Sequence, residues 1–293
     1  MTRILSALSE ISDSYDAVLC DLWGCLHDGV HVFPAAVAAL RQFRAKGGKV
    51  LLLTNAPRPK PLVAEQLDML GAPRDCWDDI VTSGDSAQAA LMAGAVGRKV
   101  YHMGPEKDLT FFTELPDGME PGAIDLVPLA EADGIACTGL VDDDTETPED
   151  YRAQLLLAKT KGLKLLCANP DIVVDKGDKR IFCAGALAAL YTEMGGESLY
   201  FGKPHPPIYD LARRRLAAMG RIPDDRVLAI GDGPGTDMAG ALGEDLDFLF
   251  ITGGLAAEQT GTAGQNGQPD PARLRTYLTG QKASPTYAMG GLR

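Results

Sequence analysis

Residues 17–55 read AVLCDLWGCLHDGVHVFPAAVAALRQFRAKGGKVLLLTN, and this stretch decides the fold. Ala17–Cys20 is a short, unbroken apolar run, the pattern of a strand buried on both faces. Pro34 opens a helical pattern that places Val37, Leu40 and Phe43 on one face, and Gly47-Gly48 stops it. Lys49–Leu53 is a second apolar run, ending at Thr54-Asn55. Strand, helix, strand in that order predicts a parallel sheet.

The alternation continues along the chain. Further strands are expected at Lys99–His102, Gly134–Cys137, Leu163–Ala168, Ser198–Phe201, Arg226–Ile230 and Phe248–Thr252, with a helix from Pro207 to Met219. The fold class is therefore α/β, a Rossmann-like doubly wound parallel sheet. At 293 residues the chain exceeds one ordinary core, so two domains or a core with an insert are expected. Leu140 to Asp150, with its run Asp142-Asp143-Asp144, and Ala256 to Asp270 read as loops. The final residues, 282–293, carry little periodicity and read as mobile.

Composition excludes several function classes. Hydrophobic residues make up 45% and charged residues 23%, which is globular. The net charge is −12, and no Lys/Arg stripe offers the positive field that nucleic acid requires. The densest basic cluster, Arg213-Arg214-Arg215, reads as a solvated helix face. No apolar run is long enough to span a bilayer. The opening MTRILSALSEISDSYD has Ser, Glu and Asp where a signal peptide needs apolar residues, so a cytoplasmic location is expected. Six scattered cysteines read as small buried hydrophobes, and four histidines lack zinc-site spacing.

Ligands of open parallel sheets bind beyond the carboxyl ends of the strands. At those positions the sequence places Asp21, Thr54-Asn55, Gly202-Lys203-Pro204 and Gly231-Asp232-Gly233-Pro234-Gly235-Thr236-Asp237. A strand-end carboxylate can attack phosphorus if a cation holds the phosphate against it. Carboxylates from separate strands give a hard Mg²⁺ its oxygen ligands. A hydroxyl, an amide and an ammonium can bind the remaining phosphate oxygens.

The order D-L-W-G-C-L-H-D-G (Asp21 to Gly29), T-N, G-K-P and G-D-G-P-G-T-D resembles the four motifs of the haloacid dehalogenase-like superfamily. Asn169-Pro170-Asp171 and C-A-G-A-L (Cys183 to Leu187) are similar to its type IIA subgroup. That subgroup includes phosphatases of sugar phosphates such as N-acetylglucosamine phosphate, nucleotides, pyridoxal phosphate and 4-nitrophenyl phosphate. The resemblance implies a catalytic core at 1–83 and 197–293 and an inserted α/β cap at 84–196. It also implies a Mg²⁺-dependent phosphatase acting on a small phosphorylated metabolite, and is compatible with a homodimer. By motif, Asp21 is the nucleophile, and Asp21, Asp232 and Asp237 hold the metal together with the main-chain carbonyl of Trp23. Thr54, Asn55 and Lys203 hold the phosphoryl group. Asn169 and Asp171, with the loop Gly139 to Asp150, are candidate substrate selectors.

One departure matters. The first motif of the superfamily reads D-x-D, and the second acid moves a proton to the leaving group. Here Trp23 stands in its place, and an indole N–H cannot shuttle a proton. Three rescues follow: His27 or Asp28 reaches back as the proton carrier; the leaving group needs no proton; or turnover is slow and binding is the task. His27 reads more readily as a turn constituent than as a proton carrier, and Trp23 at least as readily as a packing residue as a stacking platform. A P-loop nucleotidase is excluded because Pro204, not Ser or Thr, follows Lys203. A dinucleotide-binding enzyme is disfavoured because no G-x-G-x-x-G follows the first strand. The competing class is a phosphometabolite-binding sensor or scaffold.

Overall fold

The computed structural model describes residues 2–115, 124–176, 179–264 and 267–293. The chain folds as two compact units. One comprises Met1–Thr54, Ala64–Val81 and Tyr209–Arg293; the other comprises Asn55–Val63 and Thr82–Ile208.

The first unit is built on a seven-stranded sheet. Its order is Arg3–Ile4, Tyr287–Met289, Asp247–Ile251, Val227–Gly231, Ala17–Cys20, Lys49–Thr54 and Asp79–Thr82. The central strands are parallel, with Cys20 in register with Ile230 on one side and Leu52 on the other. Ala17–Cys20, Val227–Gly231 and most of Lys49–Thr54 are buried along their length, as continuous apolar runs require. From Ala17–Cys20 the chain adds strands in one direction; from Val227–Gly231 it adds them in the other. The topological switch point therefore lies between these two strands, where such sheets bind ligands.

The second unit carries a five-stranded sheet in the order Glu197–Tyr200, Lys164–Cys167, Gly134–Cys137, Lys99–Met103 and Asp125–Leu126, all pairs parallel. The helices Arg152–Thr160 and Ala184–Glu193 bury Leu155, Ala158, Leu187 and Tyr191 in one core with Ile135 and Leu165. An antiparallel hairpin pairs Val173–Lys176 with Lys179–Phe182.

Three expectations are corrected. The strand before Lys203 does not join the sheet that carries Asp21: Glu197–Tyr200 pairs with Lys164–Cys167 as an edge strand of the second unit. Its exposure fits that place, since none of its four residues is fully buried. The C-terminal residues are packed into the fold. Tyr287–Met289 lies between two strands, Leu292 is buried, and Leu8 N–H donates to the Arg293 carbonyl at 2.7 Å. A three-residue strand is simply too short to show a period. The arginine cluster is not merely solvated either. Arg213 bonds Glu244 and Asp224 at 2.6 and 3.0 Å, and Arg215 donates to the Ile80 carbonyl. All six cysteines are buried and unbridged, as expected. Among the described residues, no helix is long and apolar enough to cross a membrane.

Candidate active site

Asp21 and Asp232 each follow one of the two strands at the switch point. Asp21 N–H donates to the Ile230 carbonyl at 2.8 Å, which extends the ladder by one residue and fixes where its side chain starts. Asp237 lies on the helical turn Pro234–Met238. The three carboxylates are 6–7% exposed, and their oxygens lie within 4.8 Å of one another. At that separation each ionised pair repels by about 3 kcal/mol with an effective dielectric near 20. An oxygen-only, multiply anionic pocket of this kind fits a hard divalent cation such as Mg²⁺, which would offset most of its charge.

Small residues and backbone donors hold the acids in place. Leu255 N–H donates to Asp232 Oδ2 at 3.0 Å, and a Cβ on Gly24 or Gly254 would collide with the same carboxylate. Gly233 N–H donates to Asp237 Oδ2 at 3.1 Å, and Gly231 leaves room for that side chain. Gly253-Gly254 was not among the expected site residues. The visible signal is a glycine pair directly after an apolar strand. Thr54 ends the strand next to Asp21's and is buried.

The loop after Asp21 folds back on itself. Leu26 and His27 N–H groups donate to the Leu22 carbonyl, and Gly24 N–H donates to that of His27. Gly29 takes φ +88°, and a Cβ there would strike the Trp23 ring, so the largely buried indole packs over this glycine. Trp23 also meets the His27 ring edge-on, centroids 5.4 Å apart. His27 Nδ1 accepts the Gly29 N–H at 3.0 Å, and burial pushes the ring down to about 4, so it is neutral near pH 7. Asp28 Oδ1 accepts Val30 and His31 N–H groups at 2.9 and 2.6 Å. Both side chains are thus used by the turn.

In the second unit, Lys203 is buried and its main chain pairs with the Asn55 amide. Asn55 also reaches Asp171, whose N–H donates to Asn169 Oδ1 at 3.0 Å. The backbone of Pro170 and Asp171 lies against Gly185, where a Cβ would have no room. The N-P-D turn is therefore packed against the C-A-G-A-L string, which opens the helix Ala184–Glu193. The acidic run is a capped turn: Asp142 accepts from Asp144 N–H and the Thr145 hydroxyl, and Lys107 and Lys179 lie 3.7 Å from Asp143 and Asp144.

A haloacid dehalogenase-like hydrolase model matches residues 18–115, and a HAD-hydrolase-like model matches 200–276. A crystal structure of a haloacid dehalogenase-like hydrolase from Brucella suis is 41% identical, covering 99% of this chain and 100% of that one, with a TM-score of 0.84. A glycerol phosphate phosphatase from Mycobacterium tuberculosis, solved with magnesium, is 26% identical over 95% of this chain and 76% of that one, TM-score 0.67. A dihydroxyacetone phosphatase from Corynebacterium glutamicum is 30% identical over 96 residues, 32% of this chain, and the match spans about a third (34%) of that relative's length. With matching motifs, matching architecture and a full-length relative at this identity, the chain belongs to the haloacid dehalogenase-like hydrolase family.

Proposed function

We propose that this chain is a Mg²⁺-dependent phosphatase that hydrolyses a small phosphate monoester, of the sugar-phosphate kind, through an aspartyl-phosphate on Asp21. The supporting observation is the buried triad Asp21, Asp232 and Asp237 at the switch point of the sheet. These three side chains, with the Trp23 carbonyl, would hold the ion. When bound, it would neutralise charge on the phosphoryl oxygens. The phosphatases among the relatives point to the same substrate class.

An Asp21 oxygen attacks phosphorus while the bond to the leaving oxygen breaks; water then attacks the acyl phosphate and returns Asp21 and inorganic phosphate. Thr54 and Lys203 hold the phosphoryl group, the lysine as its cation. Residues 84–196 act as the substrate-selecting cap, and the protein works in the cytoplasm. We assign no proton transfer to His27: a neutral imidazole whose Nδ1 already accepts a hydrogen bond is a poor acid. The leaving oxygen must then depart unprotonated or take its proton from water. Losing a positioned acid costs about 10²–10⁴ in rate, or about 3–5 kcal/mol of barrier, so turnover is slow.

That same feature supports a second reading. With Trp23 packed where an acid would stand, the chain could serve as a phosphometabolite sensor that binds without turnover. The separating experiment measures phosphate release from 4-nitrophenyl phosphate and glycerol phosphate with and without Mg²⁺. Release that requires Mg²⁺ and vanishes in Asp21→Asn supports the phosphatase. Saturable binding with only background release supports the sensor.

A further inference from the structure

Asn55 stands where a phosphate ligand is expected, yet its amide is already committed. Nδ2 donates to the Lys203 carbonyl at 3.0 Å and to Asp171 Oδ1 at 2.8 Å, while Oδ1 accepts the Lys203 N–H at 2.7 Å. A primary amide has two N–H donors, and both are used. The residue is 4% exposed, so these bonds are not exchanged for water at little cost.

The surroundings fix this arrangement. A Cβ on Gly202 would fall 2.5 Å from Asn55 Oδ1, 2.6 Å from Ser83 Oγ and 2.7 Å from Pro170 Cδ, so only glycine lets the chain before Lys203 lie this close. On the far side, Asp171 is held by its own turn, closed by the Asn169 side chain and seated on Gly185. Asn55 therefore joins two closely packed pieces of backbone.

We propose that Asn55 and Asp171 are positioning residues that form one hydrogen-bonded clip fixing the main chain of Lys203, so that the 169–171 turn acts through the lysine and does not read the leaving group. What the lysine does rests on the phosphatase reading; the clip itself does not. A phosphate ligand would act independently of Asp171. A substrate selector at 171 would change the preference between esters. A clip does neither.

The test is a polarity swap in the full-length protein. Asn55→Asp sets two carboxylates against each other and removes both donated bonds. Adding Asp171→Asn restores an amide–carboxylate pair in reverse. The Tm and the affinity for inorganic phosphate with Mg²⁺ are measured for each. Asn55→Asp is expected to lower Tm and weaken phosphate binding about tenfold, and the double variant to recover part of both, since the 55–171 pair returns while the bond to the Lys203 carbonyl stays lost; this is the coupling that contacting residues show. Asp171→Ala is expected to lower kcat/KM for 4-nitrophenyl phosphate and glycerol phosphate by the same factor, within about threefold. A double variant no more stable than Asn55→Asp overturns the clip. So does an Asp171→Ala protein whose preference between the two esters shifts by about tenfold or more. If the wild type hydrolyses neither ester, the phosphatase reading fails alone, and the Tm comparison still decides the clip.

Discussion

Trp23→Asp restores the missing acid, and its consequences can be worked out in advance. The indole is largely buried, stacked edge-on to His27 and packed over Gly29. Burying roughly two-thirds or more of about 200 Å² at about 25 cal/mol/Å² gives a stability cost of about 3–5 kcal/mol for removing it. The gain is in the barrier: a positioned carboxyl group contributes about 10²–10⁴ in rate. The gain should depend on the leaving group. Glycerol leaves as a basic alkoxide and needs a proton, whereas 4-nitrophenolate leaves readily without one. With 4-nitrophenyl phosphate the wild type should release a rapid burst of about one nitrophenolate per chain, then slow to the rate of acyl-phosphate hydrolysis. In Trp23→Asp the burst should shrink as the new carboxylate activates water, and glycerol phosphate turnover should rise by at least about 10². Stopped-flow absorbance and a phosphate-release assay measure both. A variant that is folded, binds Mg²⁺ as the wild type does, and still turns over glycerol phosphate within about threefold of it would refute the claim that a missing acid limits the rate.

Two further outcomes follow from the geometry. Gly254→Ala places a methyl group against Asp232 Oδ2, so Mg²⁺ affinity by titration calorimetry should fall by about tenfold or more while the fold persists; unchanged affinity would remove Asp232 from the metal site. Asp78 accepts from Arg44 at 2.8 and 3.0 Å and from Val50 N–H at 2.8 Å. Burial alone would raise its carboxyl pKa, but these bonds outweigh it and hold it below the ordinary value. Its contribution to stability is therefore present above the unfolded carboxylate pKa and is lost as pH falls through the folded one. Asp78→Asn should cost about 1–3 kcal/mol at neutral pH and flatten the acid side of a Tm–pH curve, and an unchanged acid slope would contradict this assignment.

The core of the first unit was readable because its strands are buried on both faces and so appear as unbroken apolar runs, each ending in a chemically distinctive residue. Asp21, Thr54 and Asp232 could be placed from that pattern alone. The pattern fails where burial is one-sided or elements are short. Glu197–Tyr200 is an edge strand of the other sheet, and the sequence carries no sign of which sheet a strand joins. Asp79–Thr82 is polar at both ends and so shows no unbroken apolar run, and Tyr287–Met289, at three residues, is too short for a pattern to register. Side-chain roles were harder still. Asn55 next to Thr54 looks like a second phosphate ligand until its partners at 171 and 203 are known, and those are set by packing far along the chain. His27 and Asp28 could have faced the site, but Gly29 with its positive φ turns the loop so that both serve the backbone.

Phosphorylation of Asp21 is the most direct measure of the whole account. The protein is incubated with Mg²⁺ and 4-nitrophenyl phosphate, quenched in acid and reduced with borohydride, which converts an aspartyl-phosphate to homoserine. Peptide mass spectrometry should find homoserine at position 21, and at none of the other aspartates, with the signal lost when Mg²⁺ is omitted. Full turnover with position 21 unmodified, or modification at another aspartate, would contradict it.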